Sequence, residues 1–175
     1  MKRLSLSLAL LAAGMVCTPA FSQTIVKVGH ALQMNSHTGA GTTAFCDHIE
    51  SQTQGRYKCQ QFPNSALGGD REMIEAVQLG TLDVVSTSTG PVGNFVPEIK
   101  IVDIPFLFRD YAHARKVMDG PIGQDILTKF PSKGLVALAW TENGFRHMTN
   151  SKHPIVKPED ASGLKMRTME NKVHM

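Results

Sequence analysis

The chain has no HExxH pair, no GxSxG elbow, no CxxC pair and no Walker loop, so the common signatures of zinc and serine hydrolases, dithiol redox centres and nucleotide hydrolysis are missing. Its seven histidines are scattered without metal-ligand spacing. No metal or cofactor is therefore expected. Missing motifs do not exclude an enzyme, but no residue pattern specifically asks for one. Long apolar runs are scarce as well: Leu4 to Val16 is the most sustained, and at about a dozen residues it falls short of the roughly 20 that span a bilayer as a helix. An excess of one charge is also lacking. The formal net charge is +3, and setting aside Lys2 and Arg3 leaves 16 basic residues against 15 acidic ones, a balance of +1. That is no electrostatic footprint for nucleic acid, and the remaining interspersed charges read as solvated faces.

What the N-terminus does contain is a leader pattern. Lys2 and Arg3 precede the apolar run, and Ala20-Phe21-Ser22 places small residues where a signal peptidase reads, so residues 1–22 are expected to be removed after Ser22. Cys17 is preceded by Gly14-Met15-Val16, without the small neighbour that lipid attachment requires. Cys46 and Cys59 remain, in a compartment that permits disulfides. Around Cys46 the sequence reads as helix and around Cys59 as the next strand. The pair is either bridged across one layer contact or two small buried apolar residues.

Val26 to Gly29 reads as a short buried strand, and Ser36 caps a helix running to about Gln54, with Phe45 and Ile49 on its apolar side and Gly55 as its stop. Arg56 to Phe62 is a second strand, and Pro63 to Gly69 is turn chemistry. Asp70 is expected to cap a helix whose Met73, Ile74 and Val77 recur at helical spacing before Gly80, and Leu82 to Ser86 is a third strand. A Gly/Pro-rich loop follows at Gly90 to Pro97. Next come a strand near Ile99 to Asp103, helices around Tyr111 to Met118 and Ile122 to Phe130, and a strand at Leu135 to Trp140. This alternation predicts an α/β fold with a parallel or mixed sheet covered on both faces, whose loops at the strand carboxyl ends form the binding crevice. Residues 23–150 are expected to form one lobe. Ser151 to Gly163 reads as a connection and Leu164 to Thr168 as the first strand of a second lobe, so residues 151–175 look like the beginning of a unit whose remainder is missing.

Four features carry possible chemistry. His37 to Ala44 contains G-x-G-x-x-A, but about ten residues separate Gly29 from Gly39 and no acidic residue ends the second strand, so small residues packing closely in a helix fit better than a nucleotide loop. His30 follows a strand and is expected to face the crevice; a surface histidine and a ligand contact are both open. Ser86-Thr87-Ser88-Thr89-Gly90-Pro91 ends the third strand in hydroxyls, which suit either a polar turn or an oxygen-rich ligand. Arg146 and Arg167 each stand at or just beyond a strand. An arginine fork grips a carboxylate with two parallel hydrogen bonds, although any single arginine is more commonly a surface charge.

The series FPNSALGGDREMIEAVQLGTLDV, STGPVGNFVPE, DIPFLF, HARKVMDGPIGQDIL, GFRHMTNSKHPI and KPEDASGLKMRTMEN resembles the DctP-type solute-binding receptors of tripartite ATP-independent periplasmic (TRAP) transporters. The likeness covers essentially the whole chain after the leader. It implies a two-lobed periplasmic binding protein-like (type II) α/β fold, here the N-terminal lobe and the start of the second. It also implies an exported monomer, not an enzyme, that closes around an organic acid and delivers it to a permease of small and large membrane subunits. By the same resemblance Arg167 clamps the ligand carboxylate and Arg146 supplies a second contact. His30, Ala31, Asp70, Ser88 and Thr89 match regions that line the family's pocket. The chain departs from the family in ending at Met175, about half the usual length, which puts a complete binding site in doubt for this segment. Two other functions fit the same residues: a periplasmic sensor presenting its closed form to a signalling protein, and a secreted enzyme using His30 with Asp70 or Glu72 as acid and base.

Overall fold

The computed structural model describes residues 23–175, so the expected leader lies outside the described residues. Three strands, β1 (Thr24–His30), β2 (Tyr57–Phe62) and β3 (Val84–Ser86), form a parallel sheet in the order β2-β1-β3. Thr24 to Gly29 pair with Tyr57 to Phe62, and Val28 to His30 pair with Val84 to Ser86. Parallel pairing needs crossovers, and helices α1 (His37–Gln52) and α2 (Asp70–Gln78) supply them.

Helix α1 begins where Ser36 Oγ accepts the Gly39 N–H at 3.1 Å. A side chain at Gly39 would run into the Met34 backbone, so the first glycine of G-x-G-x-x-A is there for a tight helix start. The buried face of α1 is Gly39, Thr42 and Cys46, with Phe45 and Ile49 only half-buried. It is held to β2 by specific bonds rather than by a broad apolar stripe. Thr42 Oγ1 donates to Gln61 Oε1 at 2.7 Å, and a disulfide joins Cys46 to Cys59 with Cα atoms 5.5 Å apart. Closing so short a loop stabilises the fold by about 3 kcal/mol on the chain-entropy view.

Helix α2 packs on the other face through Met73 and Ile74. Gly29 makes that approach possible: a Cβ there would stand 2.9 Å from Met73 Sδ and 3.1 Å from a Leu82 methyl. The N-cap of α2 is Gly69, and Asp70 is the first helical residue, so its carboxylate complements the positive end of the helix without capping it. The reading of Asp70 as the cap was one residue out.

Beyond β3 come α3 (Thr89–Val92), a 3-10 helix (Pro97–Asp103), α4 (Tyr111–Met118), α5 (Pro121–Leu127) and a 3-10 turn (Phe130–Lys133). Their apolar residues close one core of Ile74, Val92, Val96, Ile99, Ile126, Phe130 and Leu135. Three expected strands are not formed. Ile99 to Asp103 lies in the 3-10 helix, because Pro97 at its first position pre-sets a helical φ. Leu135 to Trp140 docks Leu135 into the core, but no neighbouring strand pairs with it among the described residues. Leu164 to Thr168 is likewise unpaired there, and a strand exists only through a partner. No helix of the described residues is long and apolar enough to cross a membrane.

Candidate functional site

The parallel sheet brings the ends of β1 and β3 together, because His30 is paired with Ser86. Ser65 N–H donates to the His30 carbonyl at 3.2 Å and Asn64 N–H to the Leu32 carbonyl at 2.9 Å, which folds the turn before α2 against the same edge. This is the carboxyl edge, where loops of an open α/β sheet form a ligand crevice.

Two distant segments cross that edge. Glu142 is pinned by Arg115, whose Nε and Nη2 donate to its carboxylate at 2.7 and 3.0 Å. Hydrogen bonding with Arg115 holds the Glu142 carboxyl below its ordinary range, and the same pair raises the Arg115 guanidinium further. Asn143 then donates to Ser88 Oγ at 3.3 Å, while its Oδ1 lies 2.9 Å from His37 Nε2. Three residues on, Arg146 donates from Nη2 to Met169 Sδ at 3.2 Å. Met169 in turn packs on Gly90, where an added Cβ would stand 2.7 Å from the Met169 methyl. The second segment is fixed through Asp103, which accepts from Thr89 Oγ1 at 2.6 Å and from Asn171 Nδ2 at 2.7 Å. Asn94 adds a bond to the Glu170 carbonyl at 2.8 Å.

The segments of Arg146 and Arg167 are thus drawn to the β3–α3 junction. Both arginines are exposed, neither is on a strand, and neither belongs to an ion pair among the described residues. The placement at or just beyond a strand is corrected: without a partner strand, hydrogen bonds to Ser88, Asp103 and Asn94 hold these segments in place. Ser88 and Thr89 stand at the junction, with the Thr89 proton already committed to Asp103. Ala31 is half-buried after β1 and offers only its backbone. Asp70 begins α2 at the same edge of the sheet, but no side-chain hydrogen bond ties it to the other candidates.

His30 is fully buried, which removes the surface-histidine reading. Its two ring nitrogens and Thr87 Oγ1 are the buried side-chain polar atoms without a hydrogen-bond partner among the described residues. Burial lowers the imidazole's pKa from 6.5, with the Leu32 backbone pulling the other way, so the ring is held neutral near pH 7. Leaving such groups unmade costs about 1–3 kcal/mol each. All three lie at the ends of β1 and β3.

Two open grooves lie elsewhere. One of about 330 Å³ is lined by Arg109, His113, Lys116, Val117, Pro121 and Ile122, and one of about 680 Å³ by residues 147–155. Neither includes any candidate named above. No cluster of three or more metal-ligating side chains occurs among the described residues.

Sequence reasoning missed Thr87 as an individual residue, along with Asp103, Asn143, Met169 and Asn171 as the fasteners of the edge. The run of hydroxyls after β3 was the only signal for the first. The others have no local signature, because their partners lie 14 to 106 residues away.

An α/β unit that gathers arginines and unpartnered polar groups at the carboxyl edge of a parallel sheet has the arrangement of a small-molecule binding domain. The chain belongs to the DctP family, bacterial extracellular solute-binding protein family 7, whose model matches residues 28–175. A solute-binding protein of Verminephrobacter eiseniae is 57% identical over 156 residues, covering 89% of this chain and 47% of that protein. The 2,3-diketo-L-gulonate-binding periplasmic protein of Escherichia coli is 36% identical over 170 residues, 96% of this chain and 52% of that one. Among solved structures, a TRAP periplasmic solute-binding protein from Polaromonas sp. JS666 bound to D-erythronate superposes with a TM-score of 0.86 at 71% identity, covering 87% of this chain and 50% of that one. The chain spans about half the length of these relatives.

Proposed function

We propose that this chain is the N-terminal lobe and inter-lobe connection of an exported receptor that binds an organic acid and delivers it to the membrane permease of a TRAP transporter. The observation that carries this reading is the approach of the Arg146 and Arg167 segments, both arginines free of protein carboxylates, to the edge where His30 and Thr87 lack partners. Arg167 clamps the ligand carboxylate with its planar fork, and Arg146 meets a second group. His30, Ala31, Asp70, Ser88 and Thr89 line the remainder. The acid ligands of the Polaromonas and E. coli relatives support the ligand class.

Residues 23–150 act as the lobe and 151–175 as the connection to a second one. Ligand touching both lobes favours the closed population, and the permease's small and large subunits receive that form. Binding rather than turnover is the function, in a monomer that reaches the periplasm after cleavage of residues 1–22. The protein purified from its host without refolding is expected to release an unmodified carboxylic acid when denatured, seen by mass spectrometry. Release of a neutral compound, or conversion of the acid by the purified protein, contradicts the proposal.

A further inference from the structure

We propose that His30 and Thr87 form a neutral polar subsite that reads hydroxyl groups of the ligand, so that the acid bound here is a hydroxylated carboxylate and not a plain one. This rests on the carboxylate reading above and deepens it.

Among the described residues, the side-chain polar atoms that are buried without a partner are the two His30 nitrogens and Thr87 Oγ1, and they sit at adjacent strand ends. Buried polar groups in native proteins are almost always paired, so a cluster of exceptions needs a partner from outside the chain. Strand alternation sets His30 and Thr87 on opposite faces of the sheet. They bracket the strand ends rather than touch each other, and a ligand beyond those ends meets one from each side.

The donor and acceptor inventory then selects the ligand group. A neutral imidazole has one donor and one acceptor, and a threonine hydroxyl has one donor with acceptor lone pairs. A carboxylate only accepts, so it would leave the imidazole acceptor stranded. A hydroxyl both donates and accepts, and satisfies either group. Burial reinforces this by disfavouring the imidazolium, the form that would suit a second carboxylate. The arginines handle the acid, and the strand ends read what is attached to it. A site built to hydrogen-bond a hydroxyl also rejects the analogue lacking it, because the buried groups are then left unpaired.

The test titrates the protein purified from its host with straight-chain aldonates of four to six carbons, the unsubstituted alkanoates of the same lengths, and succinate. Calorimetry is expected to show tight binding of at least one aldonate and a preference of roughly 100-fold or more over its alkanoate. His30→Leu and Thr87→Val, the second nearly isosteric, should each weaken the aldonate by roughly 10- to 100-fold and leave the alkanoate and succinate unchanged, collapsing the ratio. Circular dichroism and thermal melts confirm folding, and Thr87→Val decides alone if His30→Leu does not fold.

Preference for an alkanoate or succinate overturns the subsite while leaving the carboxylate reading intact. An unchanged ratio in the variants, or equal weakening of all acids, shows that the two residues are satisfied by buried water and act only structurally, and also overturns it. Binding of no carboxylate at all removes both proposals together.

Discussion

Arg167→Lys is expected to weaken binding of the organic acid far more than Arg146→Lys, although both variants keep the charge. Arg167 is free of protein carboxylates among the described residues, and its segment is tied to the β3–α3 junction through Met169 and Asn171. Its guanidinium is therefore available as a planar fork, for which the lysine ammonium is a poor substitute. Stranding a buried carboxylate costs up to about 3–5 kcal/mol, which corresponds to roughly two to three and a half decades in dissociation constant. Arg146 already donates to Met169 Sδ, a weak acceptor, and its role in holding that methionine over Gly90 is separable from the carboxylate. Its substitution should cost about one decade or less, the scale of an ordinary hydrogen bond. Titration calorimetry on both variants checks the ranking. Near-wild-type affinity for Arg167→Lys would remove the clamp.

Ile74→Ala is expected to lower the stability of the fold by about 2–5 kcal/mol, a large part of what a small domain possesses. Ile74 is only 1% exposed and belongs to the cluster that joins α2 to α3, the 3-10 helix from Pro97, α5 and Leu135. Deleting three carbons there leaves a cavity that helices from four directions cannot all close. The urea midpoint should fall with the slope unchanged. Val136→Ala, at a side chain 74% exposed, should stay within about 0.5 kcal/mol of wild type. Equal effects at the two positions would contradict the placement of the core.

The β1-α1-β2-α2-β3 unit was legible because each boundary has a local cause. Ser36 caps, Gly55 ends a helix at a φ of 76°, and Met73 and Ile74 recur on one face of α2. Strand status after β3 was not legible, since it depends on a partner and not on composition. Leu135 to Trp140 has the residues of a strand without its hydrogen bonds, whereas Ile99 is buried as expected but on a 3-10 turn. At the site the sequence identified groups but not their fastenings. The bond between His37 and Asn143 spans 106 residues and that between Asn171 and Asp103 spans 68, distances at which periodicity carries no information. His30 was chosen from its place after a strand, and only the structure shows that its nitrogens are sealed from water without a partner.

Hydrogen–deuterium exchange with and without the co-purified acid tests the central claim most directly, because it locates the ligand without assuming which acid it is. Protection should rise at residues 29–32, 87–90, 144–147 and 167–171, the segments that meet at the carboxyl edge, and stay unchanged along α4 and α5. Protection confined to the groove of Arg109, His113 and Lys116 would place the ligand elsewhere and contradict the account.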